Sequence, residues 1–251
     1  MTLSASTLPD LESWGVRARV LDVDACDGVA DLALLSEAER LRAERFRAPR
    51  DRSSYVAGRA ALRRELADEL GIAADRVPIT PGRHGRPELP GELAGTLDFN
   101  VSHSATAVAV AVARGRRIGI DVESVYIERD IELLIQEVMG ATERDHLARL
   151  SGTDHLMAFY ECWTRKEAIV KAMGVGLGYP VRELDFPAVP ANGRVTVRAH
   201  DERDARSESW MVRTVHLSEE FVLSLAFAEH GTMSAPIRNL DRRSALSSRT
   251  E

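Results

Sequence analysis

The chain contains an internal sequence repeat, which limits the folds that it can adopt. The string Ser36-Glu37-Ala38-Glu39-Arg40-Leu41 resembles Thr142-Glu143-Arg144-Asp145-His146-Leu147 later in the chain. The first string has the full spacing of a capping box, in which Ser36 and Glu39 satisfy the first amides of a helix. The second keeps a Ser/Thr cap but has Asp145 where Glu or Gln would reach back better. The repeat predicts one such helix start in each half of the chain.

The segments around the two strings repeat as well. An alternating, strand-like segment precedes each string, over 16–21 in the first half and 117–122 in the second. A long helical pattern follows each string, and the glycines at its ends, Gly71 and Gly174, predict where the two helices stop. Paired strand-like runs then close each half, over 97–101 with 107–113 and over 210–216 with 221–228.

These patterns predict an α+β fold built from two pseudo-duplicated α/β halves. We expect the N-terminal half over 1–115, the C-terminal half over 116–229, and a disordered tail over 230–251, where the residues are small and polar. Because pockets favour domain interfaces, we expect a ligand site between the two halves.

Composition excludes several classes of protein. The chain has 251 residues, 44% of them hydrophobic, and a formal net charge of −6, so it can bury a core without disulfides or structural metals. The N-terminal sequence has no cationic stretch followed by an apolar run, and the longest apolar stretch, 105–113, is too short to span a bilayer. Cys26 and Cys162 have no ligand-type spacing and are typical of thiols in a reducing compartment. We therefore expect a cytoplasmic protein with no membrane partner.

The mild overall acidity hides a basic segment. Residues 36–64 hold nine arginines and four acidic residues. A local excess of positive charge suggests a polyanionic ligand, because it concentrates anions near the surface. The alternative is a solvated helix face with Glu–Arg pairs. No aromatic platform or nucleic-acid motif accompanies the arginines, so nucleic acid is not an expected partner.

Two acids lie at the end of a predicted strand, Gly119-Ile120-Asp121-Val122-Glu123. Alternate residues of a strand share one face, so the carboxylates of Asp121 and Glu123 project together. Paired carboxylates need a cation or cationic side chains to neutralise them, and hard oxygen ligands of this kind suit Mg²⁺ together with substrate phosphates. The alternative is that both acids face solvent.

The helical pattern over 159–173 contains the chain's only two lysines, Lys166 and Lys171. Glu167 and Lys171 lie one turn apart on its polar face, where their side chains can interact. They are either an exposed helix-stabilising pair or a third metal carboxylate and a phosphate contact. An adjacent apolar stripe predicts core residues: Phe159, Cys162, Trp163, Val170 and Met173.

Polar groups also cluster at two places in the first half. A predicted strand ends in Phe99-Asn100-Val101-Ser102-His103-Ser104; no elbow glycine pattern supports a hydrolase there, and the alternative is a set of satisfied turn groups. Upstream, Gly82-Arg83-His84-Gly85-Arg86-Pro87 predicts a turn that presents Arg86 just before a rigid proline.

Taken in their order along the chain, these segments resemble one family. FNVSHS, GIDVE and FYECWTRKEAIVKAMGVGL, preceded by Gly85-Arg86-Pro87, are similar to the phosphopantetheinyl transferases of the surfactin-synthetase-activating type, over about residues 30–228. The resemblance implies two halves related by a pseudo-twofold, with coenzyme A bound between them. It also implies the reaction: the 4′-phosphopantetheine arm of coenzyme A passes to a serine of an apo acyl or peptidyl carrier protein, and adenosine 3′,5′-bisphosphate is released.

The resemblance further implies a metal and catalytic site. Asp121, Glu123 and Glu167 would hold Mg²⁺, with Mn²⁺ as the other candidate ion. Lys171 would contact the pyrophosphate of coenzyme A. The base that accepts the proton of the carrier's serine would be Glu143, at the start of the second capped helix, or Lys171. Glu143 could equally be a first-turn acid that complements the helix dipole.

The remaining implied contacts are to coenzyme A. Ser102 and His103 would hold its phosphates, Arg86 would lie by the adenine nucleotide, and Arg42 falls near a position for the 3′-phosphate. Where the family has a second lysine this chain has Glu39. The arginines that would substitute for that lysine are Arg45, Arg47 or Arg52.

The expected function is therefore a Mg²⁺-dependent phosphopantetheinyl transferase that acts as a monomer. The alternative is a coenzyme A-binding regulatory module without turnover. Fatty-acid, polyketide and nonribosomal-peptide carriers are all candidate partners, and the two-half form favours the last two by resemblance.

Overall fold

A computed structural model gives the architecture of most of the chain. The described residues are 6–7, 11–82, 86–126, 130–176, 178–186, 192–198 and 207–229. The tail predicted over 230–251 lies outside them.

The first half is a four-stranded antiparallel sheet with helices on it. Its elements along the chain are β1 (Ser6–Thr7), β2 (Val16–Asp22), α1 (Gly28–Leu34), α2 (Glu37–Ala43), α3 (Pro49–Leu70), β3 (Thr80–Pro81), β4 (Pro87–Glu88), β5 (Leu97–Ser104) and β6 (Ala107–Arg114). The strand order in the sheet is β1-β2-β6-β5, and β3 and β4 form a separate two-stranded ribbon.

The second half is another four-stranded antiparallel sheet. Its elements are β7 (Ile118–Ser124), α4 (Ile131–Val138), α5 (Ala141–Leu147), α6 (Gly152–Met173), β8 (Asn192–Arg198), β9 (Ser207–Ser218) and β10 (Phe221–Ala228). The strand order in this sheet is β7-β10-β9-β8.

The α+β fold and its internal repeat are confirmed. Strands β2-β6-β5 and helix α3 of the first half correspond in order to β7-β10-β9 and α6 of the second. Each of the two long helices has 22 residues and ends at a left-handed glycine, Gly71 (φ 67°) and Gly174 (φ 71°), as the sequence predicts. Within the described ranges, no helix combines the length and the apolar character needed to cross a membrane.

The two helix starts that reveal the repeat differ in one detail. At α2, Ser36 Oγ accepts the amide N–H of Glu39 at 3.3 Å and Glu39 Oε2 accepts that of Ser36 at 2.9 Å, so the capping box is confirmed. At α5 the predicted cap at Thr142 is wrong, because the cap is Gly140. Glu143 is the third residue of this helix and accepts the amide N–H of Gly140 at 2.8 Å.

The alternation along strand β6 decides how the layers stack. Its alanines face the second sheet and its valines face α3, so small side chains lie between the sheets and branched ones fill the space under the helix. The isoleucines and the valine of β7 share one core cluster with these alanines. The other face of β7 carries Gly119, Asp121 and Glu123 toward α6.

The apolar stripe predicted along α6 is confirmed as part of the core. Phe159 and Val170 are buried, and Cys162, Trp163 and Met173 are half-buried against the same clusters. Burial raises the pKa of the Cys162 thiol to about 12, so this group stays protonated at neutral pH.

Helix α6 packs against β7 at Gly119, where there is no room for a side chain. A Cβ atom at this position would lie 2.0 Å from the carbonyl oxygen of Ala168 and 2.5 Å from the amide nitrogen of Ala172. Because the helix comes this close to the strand, Lys171 reaches the carboxylate of Asp121.

Gly119→Ala tests this close approach. The added methyl group must push α6 away from β7, so we expect the free energy of unfolding to fall by about 1–3 kcal/mol in urea denaturation. Gly28→Ala is the matched control, because a Cβ atom there meets nothing within 4 Å; its effect should stay within about 0.5 kcal/mol. If Gly119→Ala unfolded at the same urea concentration as the parent, the packing of α6 on β7 would not be as tight as described.

Candidate active site

The two sheets meet along β5 and β7, and side chains join the two strands. At alternate positions, four polar side chains of β5 each accept the amide N–H of a residue of β7, always 20 positions further along, so the strands run parallel. We call these four hydrogen bonds the seam, because they fix the register of one half against the other. They join Asp98 Oδ2 to Ile118 (2.9 Å), Asn100 Oδ1 to Ile120 (3.1 Å), Ser102 Oγ to Val122 (3.4 Å) and Ser104 Oγ to Ser124 (3.0 Å).

Asp121 lies beside the seam and is buried. Its Oδ1 accepts hydrogen bonds from Ser102 Oγ at 2.8 Å and from Lys171 Nζ at 2.6 Å. Burial raises the pKa of Asp121, and the ammonium of Lys171 acts in the opposite direction. Its Oδ2 is buried without a hydrogen-bond partner among the described residues.

The two other predicted metal ligands lie near Asp121. Glu123 is half-buried; its Oε2 accepts a hydrogen bond from Ser104 Oγ at 2.8 Å and its Oε1 one from Trp163 Nε1 at 3.3 Å. Burial raises the pKa of Glu167; the ammonium of Lys171 lowers it, and the carboxylates of Asp121 and Glu123 raise it further. We refer to Asp121, Glu123 and Glu167 as the cluster, because the charges of the first two raise the pKa of the third.

The chemistry of this cluster fits a hard divalent cation. Carboxylate oxygens are the protein ligands that Mg²⁺ prefers, and the buried Oδ2 of Asp121 has no hydrogen bond to lose. In the part of the chain that the structure describes, however, no three His, Cys, Asp or Glu side chains are close enough together to enclose an ion. The cation that neutralises Asp121 in this arrangement is the ammonium of Lys171.

A cleft of ≈ 370 Å³ opens beside the cluster, between the two halves. Glu167 and Lys171 of α6 line one side. Tyr55 and Arg59 of α3 and His103 of β5 line the other. Acidic and basic groups from different halves therefore face a single cavity, as expected for a ligand site between them.

Sequence reasoning missed two of these residues, Tyr55 and Arg59. The guanidinium groups of Arg42 and Arg59 lie 5.9 and 5.6 Å from the centre of the Tyr55 ring. Tyr55 Oη and Arg59 Nη1 are buried and have no hydrogen-bond partner among the described residues. Buried donors of this kind mark a place for a polar ligand group. The available signal was their spacing, one turn apart on one face of a helix.

The arginines predicted to bind the 3′-phosphate lie outside the described lining of the cleft. Arg42 and Arg45 are exposed, and neither belongs to the described residues that line the cleft. Glu39, which stands where the resemblance implies a lysine, is 3.7 Å from Arg59 and 2.6 Å from Arg63. This acid therefore holds Arg59 at the wall of the cleft.

Ser102 and His103 are neighbours with different surroundings. Ser102 is buried, and its hydroxyl is bound to Asp121, to Lys171 at 3.0 Å and to the amide of Val122, so it lies beneath the cleft rather than in its lining. His103 lines the cleft. Burial lowers the pKa of His103, and the ammonium of Lys171 lowers it further. The imidazole is therefore neutral at neutral pH.

Arg86 connects the cleft to the backbone of both halves. Its Nη2 donates to both oxygens of Asp98, at 2.8 and 2.9 Å, and its Nη1 donates to the carbonyl oxygen of Lys171 at 2.5 Å. Burial raises the pKa of Asp98, while the guanidinium of Arg86 beside it lowers it. The guanidinium thus anchors the end of α6 and also lines the cleft.

Comparison with known proteins decides the family. The model of the 4′-phosphopantetheinyl transferase superfamily matches residues 117–226, and that of the N-terminal part of 4′-phosphopantetheinyl transferases matches residues 26–115. The chain is 35% identical over 159 residues to the 4′-phosphopantetheinyl transferase HetI of Nostoc sp. (strain PCC 7120 / SAG 25.82 / UTEX 2576), covering 63% of this chain and 67% of that protein. The chain belongs to the 4′-phosphopantetheinyl transferase superfamily.

Other relatives of this phosphopantetheinyl transferase agree with the assignment. It is 27% identical over 232 residues to a phosphopantetheinyl transferase of Thraustochytrium sp. (strain ATCC 26185 / S-3), with 88% of this chain and 79% of that protein covered. It is 28% identical over 206 residues to the L-aminoadipate-semialdehyde dehydrogenase-phosphopantetheinyl transferase of Xenopus laevis, with 76% and 67% covered.

A solved structure resembles part of this phosphopantetheinyl transferase. The holo-(acyl-carrier-protein) synthase from Bacillus anthracis str. Ames, in complex with CoA (3′,5′-ADP), is 22% identical and covers 45% of this chain and 94% of its own, with a TM-score of 0.32. At that TM-score the likeness adds nothing to the assignment.

Glu143 of the transferase lies away from the cleft. Its side chain is 1% exposed, and its Oε2 is 2.6 Å from the Nζ of Lys166, which is fully buried. Lys166 also donates to the carbonyl oxygens of Val138 and Val181, at 2.8 and 3.0 Å. The carboxylate of Glu143, a candidate base, thus forms one half of a buried ion pair. The same carboxylate also caps α5. This pair gives Lys166 the structural role that its sequence position did not reveal.

Glu143→Gln separates the structural role of Glu143 from a catalytic one. The change leaves the buried ammonium of Lys166 without its anion, so we expect the free energy of unfolding to fall by about 3–5 kcal/mol in urea denaturation. The control is the double variant Glu143→Gln with Lys166→Met, which removes both charges and should recover most of that loss. A Glu143→Gln protein with the parent's stability would contradict the importance of the pair.

The pKa of His103 predicts part of the pH dependence of stability. Because this pKa is lowered in the folded chain, the unfolded chain takes up the proton first as the pH falls, and unfolding is favoured. We expect the parent to lose more unfolding free energy than His103→Gln between about pH 7.5 and about pH 5.5, where an ordinary histidine titrates. Urea denaturation at both pH values measures the difference, and equal losses would contradict the neutral imidazole.

Proposed function

We propose that this phosphopantetheinyl transferase moves the 4′-phosphopantetheine arm of coenzyme A onto a serine of an apo acyl or peptidyl carrier protein. The observation that carries the proposal is the cleft between the halves. Glu167 and Lys171, the latter paired with Asp121, line one side, and the basic and hydroxyl groups of Arg59 and Tyr55 line the other. Binding of coenzyme A requires both sides of the cleft. The carboxylates and the lysine would serve the reacting phosphates, and the basic and hydroxyl groups would serve the nucleotide end.

The proposed reaction is one displacement at phosphorus. The serine oxygen of the carrier forms a bond to the phosphorus that bears the pantetheine arm. The bond from that phosphorus to the bridging oxygen breaks, adenosine 3′,5′-bisphosphate leaves, and the serine gives up its proton. Negative charge develops on the phosphoryl oxygens and on the leaving group.

Asp121, Glu123 and Glu167 would hold Mg²⁺ or Mn²⁺ for this reaction. When bound, such an ion neutralises the developing charge on the two phosphates. The buried Oδ2 of Asp121, with no hydrogen-bond partner among the described residues, supports this assignment.

Lys171 is the proposed contact of the pyrophosphate. Its ammonium is held by Asp121 and Ser102, and its side chain remains 27% exposed toward the cleft. A positioned ammonium stabilises charge that builds up on the phosphates without having to reorganise first.

The first half supplies the proposed nucleotide side. Arg59 and Tyr55 carry buried donors with no partner among the described residues, and Arg86 and His103 line the same cavity. Contacts of Arg42 and Arg45 with the 3′-phosphate stay predictions. The other expectations that stay predictions are the monomeric state, the cytoplasmic location, the boundary of the halves at 115 and the surfactin-synthetase-activating subtype.

Of the two candidate bases, the structure favours Lys171. Its amine lies in the wall of the cleft, whereas the carboxylate of Glu143 is bound to Lys166 in the core. A lysine accepts a proton only in its neutral form, so in this role the ammonium of Lys171, whose side chain is 27% exposed, would first release one proton to solvent.

Intact mass of a carrier protein tests the proposal. An apo carrier mixed with coenzyme A, Mg²⁺ and the purified chain should gain the mass of one phosphopantetheinyl group. Asp121→Ala should abolish the gain, and Lys171→Arg should slow it by about 100-fold, because the arginine fork does not fit between Asp121 and Ser102.

Gly28→Ala, on α1 with open space around it, is the control and should match the parent. A panel of apo fatty-acid, polyketide and nonribosomal-peptide carriers identifies the preferred partner. Tight binding of coenzyme A with no mass gain on any carrier would contradict transfer and support a binding module instead. Full activity of Asp121→Ala would contradict the metal assignment.

A further inference from the structure

Two of the four hydrogen bonds of the seam do more than join the halves. Asp98 and Asn100 accept an amide N–H of β7. Ser102 and Ser104 accept one as well, but their hydroxyls also donate to a carboxylate of β7, each time 19 positions further along. Each of these two serines of β5 therefore connects a backbone amide of β7 to an acidic side chain of β7.

Ser104 and Glu123 form the second of these two serine–carboxylate hydrogen bonds. A serine hydroxyl has one proton and two acceptor lone pairs. Because Ser104 Oγ accepts the amide N–H of Ser124 at 3.0 Å, its proton is free to point at Glu123 Oε2, 2.8 Å away. The strand backbone thus orients the hydroxyl, and the hydroxyl orients the carboxylate.

Glu123 needs such a partner more than Asp121 does. Its side chain has one more rotatable bond and is half-buried, whereas Asp121 is buried. Ser104 from the first half and Trp163 from α6 each donate to one oxygen of Glu123. These donors limit the rotation of the Glu123 carboxylate, whose charge acts on Glu167.

We propose that Ser104 is a positioning residue that fixes the carboxylate of Glu123. In this way a residue of the first half of the chain sets the geometry of a metal site whose ligands belong to the second half. This inference rests on the proposed function. Partners in the outer shell of a metal site orient its ligands, and their loss costs about 10–100-fold in metal affinity. Because Ser104 is not among the described residues that line the cleft, its removal should weaken metal binding rather than slow the chemical step.

The test compares Ser104→Ala with Ser104→Thr, which keeps the hydroxyl. Binding of Mn²⁺ in the presence of coenzyme A and without a carrier protein is measured by the electron paramagnetic resonance signal of the free ion. The concentration of Mg²⁺ that gives half-maximal transfer is measured separately. For Ser104→Ala we expect both constants to rise by about 10-fold, with kcat at saturating Mg²⁺ within a few-fold of the parent.

Thr96→Val is the matched control. It removes a hydroxyl hydrogen bond of 2.8 Å, to the carbonyl oxygen of Leu93, just before the same strand. Its metal constants should equal those of the parent, and those of Ser104→Thr should lie close to them. If Ser104→Ala does not fold, Trp163→Phe is used in the same titrations, because it removes the hydrogen bond that Trp163 donates to Glu123 and should raise the same two constants.

The outcomes separate this inference from the proposed function. Parent-like metal constants for Ser104→Ala, or for Trp163→Phe if it is used, would overturn the inference while transfer by the parent still stood. Equal weakening in Ser104→Ala and Ser104→Thr would overturn it too, because it would point to packing rather than to the hydroxyl. A parent that neither binds Mn²⁺ nor transfers would remove the proposed function and the inference with it.

Discussion

Four hydrogen bonds between side chains of β5 and amides of β7 fix the two halves of the molecule against each other. Buried amide groups must have partners, and the edge of β7 finds them in Asp98, Asn100, Ser102 and Ser104 rather than in the backbone of another strand. A backbone ladder could shift in register without changing its chemistry. A ladder of particular side chains cannot, because each acceptor stands at one position. The placement of the cleft, of the carboxylates and of α6 follows from that register.

The chain's two lysines show how one helix supports both stability and the site. Lys166 is fully buried and neutralises Glu143, which ties α5 to α6. Lys171, at the other side of the same helix, neutralises Asp121 at the edge of the cleft. Gly119 lets the helix come close enough for the second contact. Two similar ion pairs thus differ in role because one is closed in the core and the other opens toward a cavity.

The sequence predicted the duplicated α+β architecture because the repeat depends on local signals. The capping box at Ser36 and the left-handed glycines at the ends of the long helices are such signals, and each is set by neighbouring residues. The convergence of Asp121 and Glu167 was also accessible, from strand and helix periodicity together with the family resemblance. What could not be predicted depends on contacts between distant segments.

Glu143 illustrates this limit, because its position in the chain suits a helix cap, a catalytic base and a buried pair equally well. Only the packing of α6 selects among them. Tyr55 and Arg59 were missed for a related reason: a charged stretch on a helix does not reveal which of its residues turn inward. The repeat predicts a cap at Thr142 because this residue matches Ser36. The backbone instead turns at Gly140, and the carboxylate of Asp185 accepts the amides of Thr142 and Glu143.

The strand order has a consequence for assembly. The seam joins unlike edges, since β5 corresponds to β9 in the second half and β7 corresponds to β2 in the first. A contact between unlike edges could in principle be repeated from molecule to molecule, as in an open filament. Here a further strand lies on each edge that could continue the series: β1 pairs with Arg19 and Val20 of β2, and β8 pairs with β9. Two strands outside the duplicated unit, β1 and β8, thus occupy parts of the edges at which a third copy of the unit would have to join.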